Sequence, residues 1–169
     1  MEDIFHDPEF TRFGDGVKEL DEDIGRLVYT LFKTKLLETK WSCSGHIGTY
    51  LLDVGRSSRP ETHHIYATGL LFFNVPNNDK SKSFFDITKS LVAQTPFASY
   101  KEPHGEYGNH HHIYLEMADL SDNQPKEEFR KKWGFNYRPE REVPIALAVA
   151  RYEQFKKFWS DLDNLAKRF

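Results

Sequence analysis

The sequence predicts an α/β fold of the mixed α+β kind, a single domain in which a mixed β-sheet is packed by N-terminal, central and C-terminal helices. Three observations predict it. An amphipathic helical stripe opens the chain, apolar stretches rich in β-branched and aromatic residues alternate with helical patterns, and an aromatic stripe at helical spacing closes it. The length of 169 residues suits one domain, since domains commonly hold roughly 100–150 residues.

Residues 1–14 read as a loose arm with Phe5, Phe10 and Phe13 as anchors. From Asp15 to Glu38 the period is helical: Val17, Leu20, Ile24, Leu27, Val28 and Leu31 fall on one stripe. Asp21, Glu22 and Asp23 lie in its first half and Lys33, Lys35 and Lys40 toward its end, as the helix dipole favours. A turn containing Cys43 follows. Ile47 to Val54 reads as a strand, Gly55 to Glu61 as a polar loop with Arg56 and Arg59, and His63 to Val75 as a second strand. Pro76-Asn77-Asn78-Asp79 breaks it. Residues 81–94 read as a helix whose apolar side is Phe84, Phe85, Ile87, Thr88, Leu91 and Val92. A loop with Pro96, Pro103, Gly105 and Gly108 leads to a strand from His110 to Ala118. Residues 121–142 are highly charged, and Lys126 to Lys132 reads as a solvated helix face. Val143 to Ala150 suits a short buried strand, although its length leaves a helix open. Tyr152, Phe155, Phe158, Trp159, Leu162, Leu165 and Phe169 mark the final helix.

Composition narrows the function classes. Hydrophobic residues are 38% of the chain but aromatics are 15%, so rings supply much of the buried area. The net charge of −3 gives no long-range attraction for nucleic acid, leaving RNA as a partner only through a local basic face. No run of about 20 apolar residues is present, so no membrane span is expected. The acidic start Met1-Glu2-Asp3-Ile4-Phe5 lacks a signal-peptide pattern, and one cysteine cannot form an internal disulfide, so the expected location is cytoplasmic.

The densest chemistry lies in Trp41-Ser42-Cys43-Ser44-Gly45-His46. Cys43 is either a packed small residue, a thiolate activated by His46, or a metal ligand. Ser42, Ser44 and Gly45 in a turn can present N–H donors to an anion, with Arg56 and Arg59 adding charge from the next loop. His63-His64-Ile65-Tyr66 recurs as His111-His112-Ile113-Tyr114. In a strand, His110, His112, Tyr114 and Glu116 share one face, and His111, Ile113, Leu115 and Met117 the other. Zinc takes four N, S or O ligands, and Cys43, His46, His64, His110 and His112 are the available set. Tyr66 and Tyr114 are stacking candidates for a base or adenine ring, and His46, His112 or Glu116 candidate proton acceptors.

The pattern resembles the tRNA wybutosine-synthesis methyltransferases of the third pathway step and their archaeal relatives. Ser42-Cys43-Ser44-Gly45-His46 is similar to the family's Ser-Cys-Ser-Gly-Arg turn, with histidine in place of arginine. Gly69-Leu70-Leu71-Phe72-Phe73-Asn74-Val75 and the 81–94 helix follow in the family's order, and Glu142-Val143-Pro144-Ile145 precedes an aromatic-rich final helix as it does there. The resemblance spans residues 15–169 and implies methyl transfer from S-adenosylmethionine to a modified tRNA guanosine. A small-molecule or nucleotide ligand is then the expected partner. The alternatives are a zinc-type hydrolase or regulatory domain on the Cys43 and histidine set, and a protein-interaction module.

Overall fold

A computed structural model describes residues 22–52, 61–104, 109–117, 120 and 145–169, with side chains described at all of these but 22, 46–52, 61–67 and 145. The expected arm at 1–14, the loop arginines Arg56 and Arg59, and the charged stretch 121–142 lie outside the described residues. The α/β class is the observed one. Helices α1 (Glu22–Thr34), α2 (Asp79–Gln94) and α3 (Ile145–Ala166) accompany strands β1 (Glu38–Cys43), β2 (His46–Leu52), β3 (Glu61–Ala67), β4 (Gly69–Asn74), β5 (Ala98–Lys101) and β6 (His111–Leu115). Four strands form a sheet in the order β1-β4-β6-β5, and β2 and β3 form a two-stranded ribbon; every pairing is antiparallel.

The stripe of α1 is buried as expected, with Ile24, Leu27 and Leu31 almost fully enclosed. The helix ends sooner than its periodicity suggests. Lys35 takes a left-handed backbone, φ 55°, which stops an α-helix. Leu36 and Leu37 then continue into the core, and the chain enters β1. The expected turn at 41–46 is therefore smaller: Trp41, Ser42 and Cys43 belong to β1, His46 opens β2, and only Ser44 and Gly45 lie between. Gly45 makes the break with φ 91°, a conformation that side-chain-bearing residues rarely adopt.

The predicted strand 63–75 is two strands, β3 and β4, parted at Thr68. Opposite pairs show why. Cys43 faces Leu70 and His46 faces Ala67, three residues on along both strands, so β1–β2 and β3–β4 form one hairpin that changes sheet at Ser44–Gly45 and Thr68. The crossing is tight. A Cβ on Gly69 would lie 3.0 Å from the Ser44 carbonyl oxygen, 3.2 Å from Leu115 Cβ and 3.4 Å from Trp159 Cζ2. From α3, Trp159 Nε1 donates to that same Ser44 carbonyl at 3.2 Å.

Asn78, with extended backbone, caps α2 by accepting the Ser81 N–H at 2.8 Å. Phe84, Phe85, Thr88 and Val92 are buried as expected, while Ile87 stays exposed. β5 falls where a loop was expected, because a four-residue edge strand leaves too short a pattern to read. The apolar run 143–150 is the other correction. From Ile145 onward it is the start of α3, with Ala148 buried and Leu147 and Val149 outside. Its alternating alanines are strong helix formers, and a run this short carries no decisive period. The rest of α3 buries Phe155, Phe158, Trp159 and Leu162 as read. Thr30 of α1 donates to Asp163 of α3, and Lys167 pairs with the same carboxylate. The helices cover the inner face of the sheet, where Leu71, Phe73, Ile113 and Leu115 are buried. The repeated His-His-Ile-Tyr motif occupies unlike places, in the ribbon at β3 and inside the sheet at β6. Among the described residues no helix is long and apolar enough to cross a membrane.

Gly69→Ala is expected to destabilise the chain by about 1–3 kcal/mol, since backbone rather than a movable side chain blocks the new methyl. A lower urea midpoint at unchanged slope is the readout.

Candidate functional site

The outer face of the sheet follows from alternation. With Leu71 and Phe73 turned inward, Leu70, Phe72 and Asn74 of β4 point out and are half-buried. Ile113 and Leu115 turn inward, so His112 and Tyr114 of β6 point out. Register then sets the rows. Cys43, Leu70, Tyr114 and Ser99 lie abreast, and next to them Trp41, Phe72, His112 and Lys101. Four strands about 4.8 Å apart give a row roughly 14 Å from β1 to β5.

The second row is aromatic. Trp41 is 62% exposed and meets Phe72 edge-on, ring centres 5.6 Å apart. Phe72 stacks on His112 at 4.0 Å with the planes 15° apart. His112 is buried and shares a hydrogen bond through Nδ1 with the Tyr114 hydroxyl at 3.1 Å. The Lys101 ammonium lies 5.0 Å over the Tyr114 ring, a cation–π contact. One step further along, His110 Nδ1 and Asn74 Oδ1 are 2.8 Å apart. The face thus offers an exposed indole at one edge, cationic and imidazole groups toward the other, and a rigid stack between them.

Electrostatics keeps the central imidazole neutral. Burial pulls the His112 pKa below its ordinary value, and the neighbouring charges of His110, His104 and Lys101 pull the same way. On the inner face, His111 is also pulled down, first by burial, with Lys89 and His112 adding to it and Glu102 opposing. Its Nδ1 shares a 2.7 Å hydrogen bond with the Tyr100 hydroxyl, whose own pKa is raised by burial and by Glu102.

The residues singled out from sequence separate into three groups. Cys43, His110, His112 and Tyr114 share the outer face, in the alternation expected for the last three. Ser42 stands opposite Leu71, and Ser44 and Gly45 are buried at the crossing beneath Trp159, away from that face. Glu116 is exposed past the end of β6, its carbonyl accepting from Arg151 and its N–H bonded to Phe97. In the ribbon, His46 stands opposite Ala67, Tyr66 opposite Ile47 and His64 opposite Thr49, the last six residues along the strand from Cys43. Their side chains, and Arg56 altogether, lie outside the described residues.

No family model, curated protein or solved structure matches the chain.

Among the described residues no group of three or more His, Cys, Asp or Glu side chains is placed to hold a metal ion. Zinc on Cys43 and the histidines therefore depends on His46 and His64. Sequence reasoning passed over Phe72 and Lys101 and left Trp41 unassigned. The alternation of Leu70, Phe72 and Asn74 was a usable signal for Phe72; nothing local pointed to Lys101, whose place comes from β5 pairing with β6.

Both lowered imidazoles bind protons more readily in the unfolded chain. Their contribution to stability is complete above the usual 6.5 and is lost as pH falls from there through the lower folded-state values. The melting temperature should drop between about pH 7 and about pH 5.5, and drop less in the double variant His111→Gln, His112→Gln. An equal drop in both proteins would assign the acid sensitivity to other groups.

Proposed function

We propose that the outer face of the sheet binds a small molecule carrying a planar ring, a nucleotide or modified nucleoside, and that the chain is a ligand-binding or enzymatic domain of the S-adenosylmethionine-dependent tRNA-base methyltransferase kind. The observation that carries the reading is Trp41, an exposed indole braced edge-on by Phe72, which is itself stacked on a buried histidine. A side chain of this size gains roughly 1.5–3 kcal/mol from burial, so leaving it in water makes sense where a ligand covers it. Stacking a base on an aromatic ring is worth about 1–3 kcal/mol and tolerates any base.

The remaining groups suit the rest of such a ligand. Lys101 and His110 offer donors for a phosphate, a carboxylate or ring nitrogens. Local placement substitutes for the overall negative charge, which would give no steering. S-adenosylmethionine, when bound, supplies an electrophilic methyl group. The protein's work is then orientation and exclusion of water. His112, neutral near pH 7, holds Phe72 and Tyr114 in place. Cys43, half-buried one row away, is within the same face as a contact for the donor or acceptor. The cytoplasmic location expected from the sequence belongs to the same proposal.

Titration with S-adenosylmethionine, adenosine and a short single-stranded RNA, followed by calorimetry, tests the reading. At least one is expected to bind, and Trp41→Ala is expected to weaken it about 5- to 150-fold, the equivalent of about 1–3 kcal/mol. Silence from all three at millimolar concentration, or a Trp41→Ala protein that binds as tightly as the parent, removes it.

A further inference from the structure

Glu38 and Trp41 are three residues apart, and in an unbroken strand an odd spacing puts two side chains on opposite faces. Here both belong to the outer face, Glu38 opposite Asn74 and Trp41 opposite Phe72. Between them two steps along β1 match one step along β4, so Lys40 is the extra residue of a β-bulge. Thr39 is turned inward, opposite the fully buried Phe73, and its hydroxyl is buried with no hydrogen-bond partner among the described residues. Carrying the Trp41–Phe72 pairing back without the bulge would set Thr39 opposite Asn74 and turn Glu38 inward. The observed register instead places a carboxylate on the outer face beside the aromatic row.

That carboxylate opens a third row. Asn74 and Phe72 are two residues apart on β4, so the row of Glu38, Asn74 and His110 runs about 7 Å from the row of Trp41, Phe72 and His112. An amide oxygen only accepts, so at 2.8 Å His110 Nδ1 donates to Asn74 Oδ1. The two N–H groups of the Asn74 amide are the donors that remain, and none is bonded to a described residue. Glu38 only accepts. Its ion pair with Lys40, 3.6 Å from Nζ to Oε2, is exposed on both sides and contributes little. An acceptor and a donor thus stand side by side, one row from the exposed indole, a separation that the edge of a stacked base spans.

We propose that Glu38 is the specificity-determining residue of this face and that the ring it selects is an amino-substituted nucleobase. The Glu38 carboxylate accepts from the exocyclic amino group of a base stacked on Trp41, and the Asn74 amide donates to the ring nitrogen beside that group. The inference rests on the reading of the outer face given above. A bond from an N–H to a carboxylate is charge-assisted and stronger than one between neutral groups. An amino group protrudes from the ring and reaches the carboxylate without a competing acceptor in between. An imide N–H, as in a uracil, is flanked by carbonyl oxygens that the carboxylate repels.

The test titrates the full chain, by calorimetry, with adenosine and with purine riboside, which is adenosine without its amino group. The parent is expected to bind adenosine about tenfold more tightly. In Glu38→Ala the adenosine affinity falls to that of purine riboside, while the purine riboside affinity and the melting temperature stay at the parent's values. Glu38→Gln keeps an acceptor oxygen and shows an intermediate preference. Trp41→Ala weakens both nucleosides by the same factor. A Glu38→Ala protein that keeps the parent's preference overturns the proposal, and so does one that loses both nucleosides equally. A parent that binds the two with equal affinity overturns it and leaves the stacking role of Trp41 standing. A parent that binds neither at millimolar concentration overturns the reading of the face and this inference together.

Discussion

The crossing at Ser44–Gly45 and Thr68–Gly69 is the constraint on which the rest depends. A single hairpin passes there from a four-stranded sheet into a two-stranded ribbon without losing register. The change of sheet needs two things together. Gly45 must take a positive φ, and the backbones at Ser44 and Gly69 must approach to a distance that leaves no room for a Cβ. Trp159 closes the arrangement from α3, filling the space beside Gly69 and donating to the buried Ser44 carbonyl. The last helix is thereby tied to the first hairpin, 115 residues away in sequence. Because register is kept, the crossing also fixes which side chains of β1 and β4 share a row, and so what the outer face presents.

Within that frame β1 runs against local energetics at two places. An unsatisfied buried hydroxyl costs about 1–3 kcal/mol, and an exposed tryptophan forgoes a burial term of similar size. Bulges that re-aim a side chain are common beside functional sites, where local rules yield to a ligand. The two observations are independent: one concerns a hydroxyl beside Phe73, the other a ring beside Phe72.

What the sequence made legible was what period alone can carry. The α1 stripe of Ile24, Leu27, Val28 and Leu31 and the α3 stripe of Phe155, Phe158, Trp159 and Leu162 were readable because each recurs over several turns. The split of β6 into an inner His111, Ile113 and Leu115 and an outer His112 and Tyr114 was readable because strand alternation has a strict period of two. The misses have physical causes. Lys35 ends α1 by backbone conformation, which composition does not reveal. β1 was hidden because its six residues carry a single large apolar side chain, Trp41, and follow directly on the helical period. The apolar run at 145–150 has too few residues to distinguish a helix from a strand. The outer face itself was only half visible. Its histidines and Tyr114 sit on one strand and could be counted; Trp41, Phe72 and Lys101 join them only through pairings between segments far apart in sequence.

Charge bears on how such a face would select its ligand. The chain as a whole is acidic, so a polyanion is repelled at long range and no nonspecific electrostatic capture is available. Close in, the balance reverses. Lys101 is near enough to disfavour a proton on His112, which places its positive potential over the centre of the row. A ligand with one or two negative groups on a planar ring would gain from that local field and from Trp41. A long anionic strand would gain the same at this spot and no more from a chain whose net charge is −3. If the face binds a ligand as proposed, the same groups would favour a compact one over extended contact along a nucleic-acid backbone. His112 contributes most by remaining neutral: a charged imidazole there would be stacked on Phe72 in a buried site and would compete with Lys101 for the same anion.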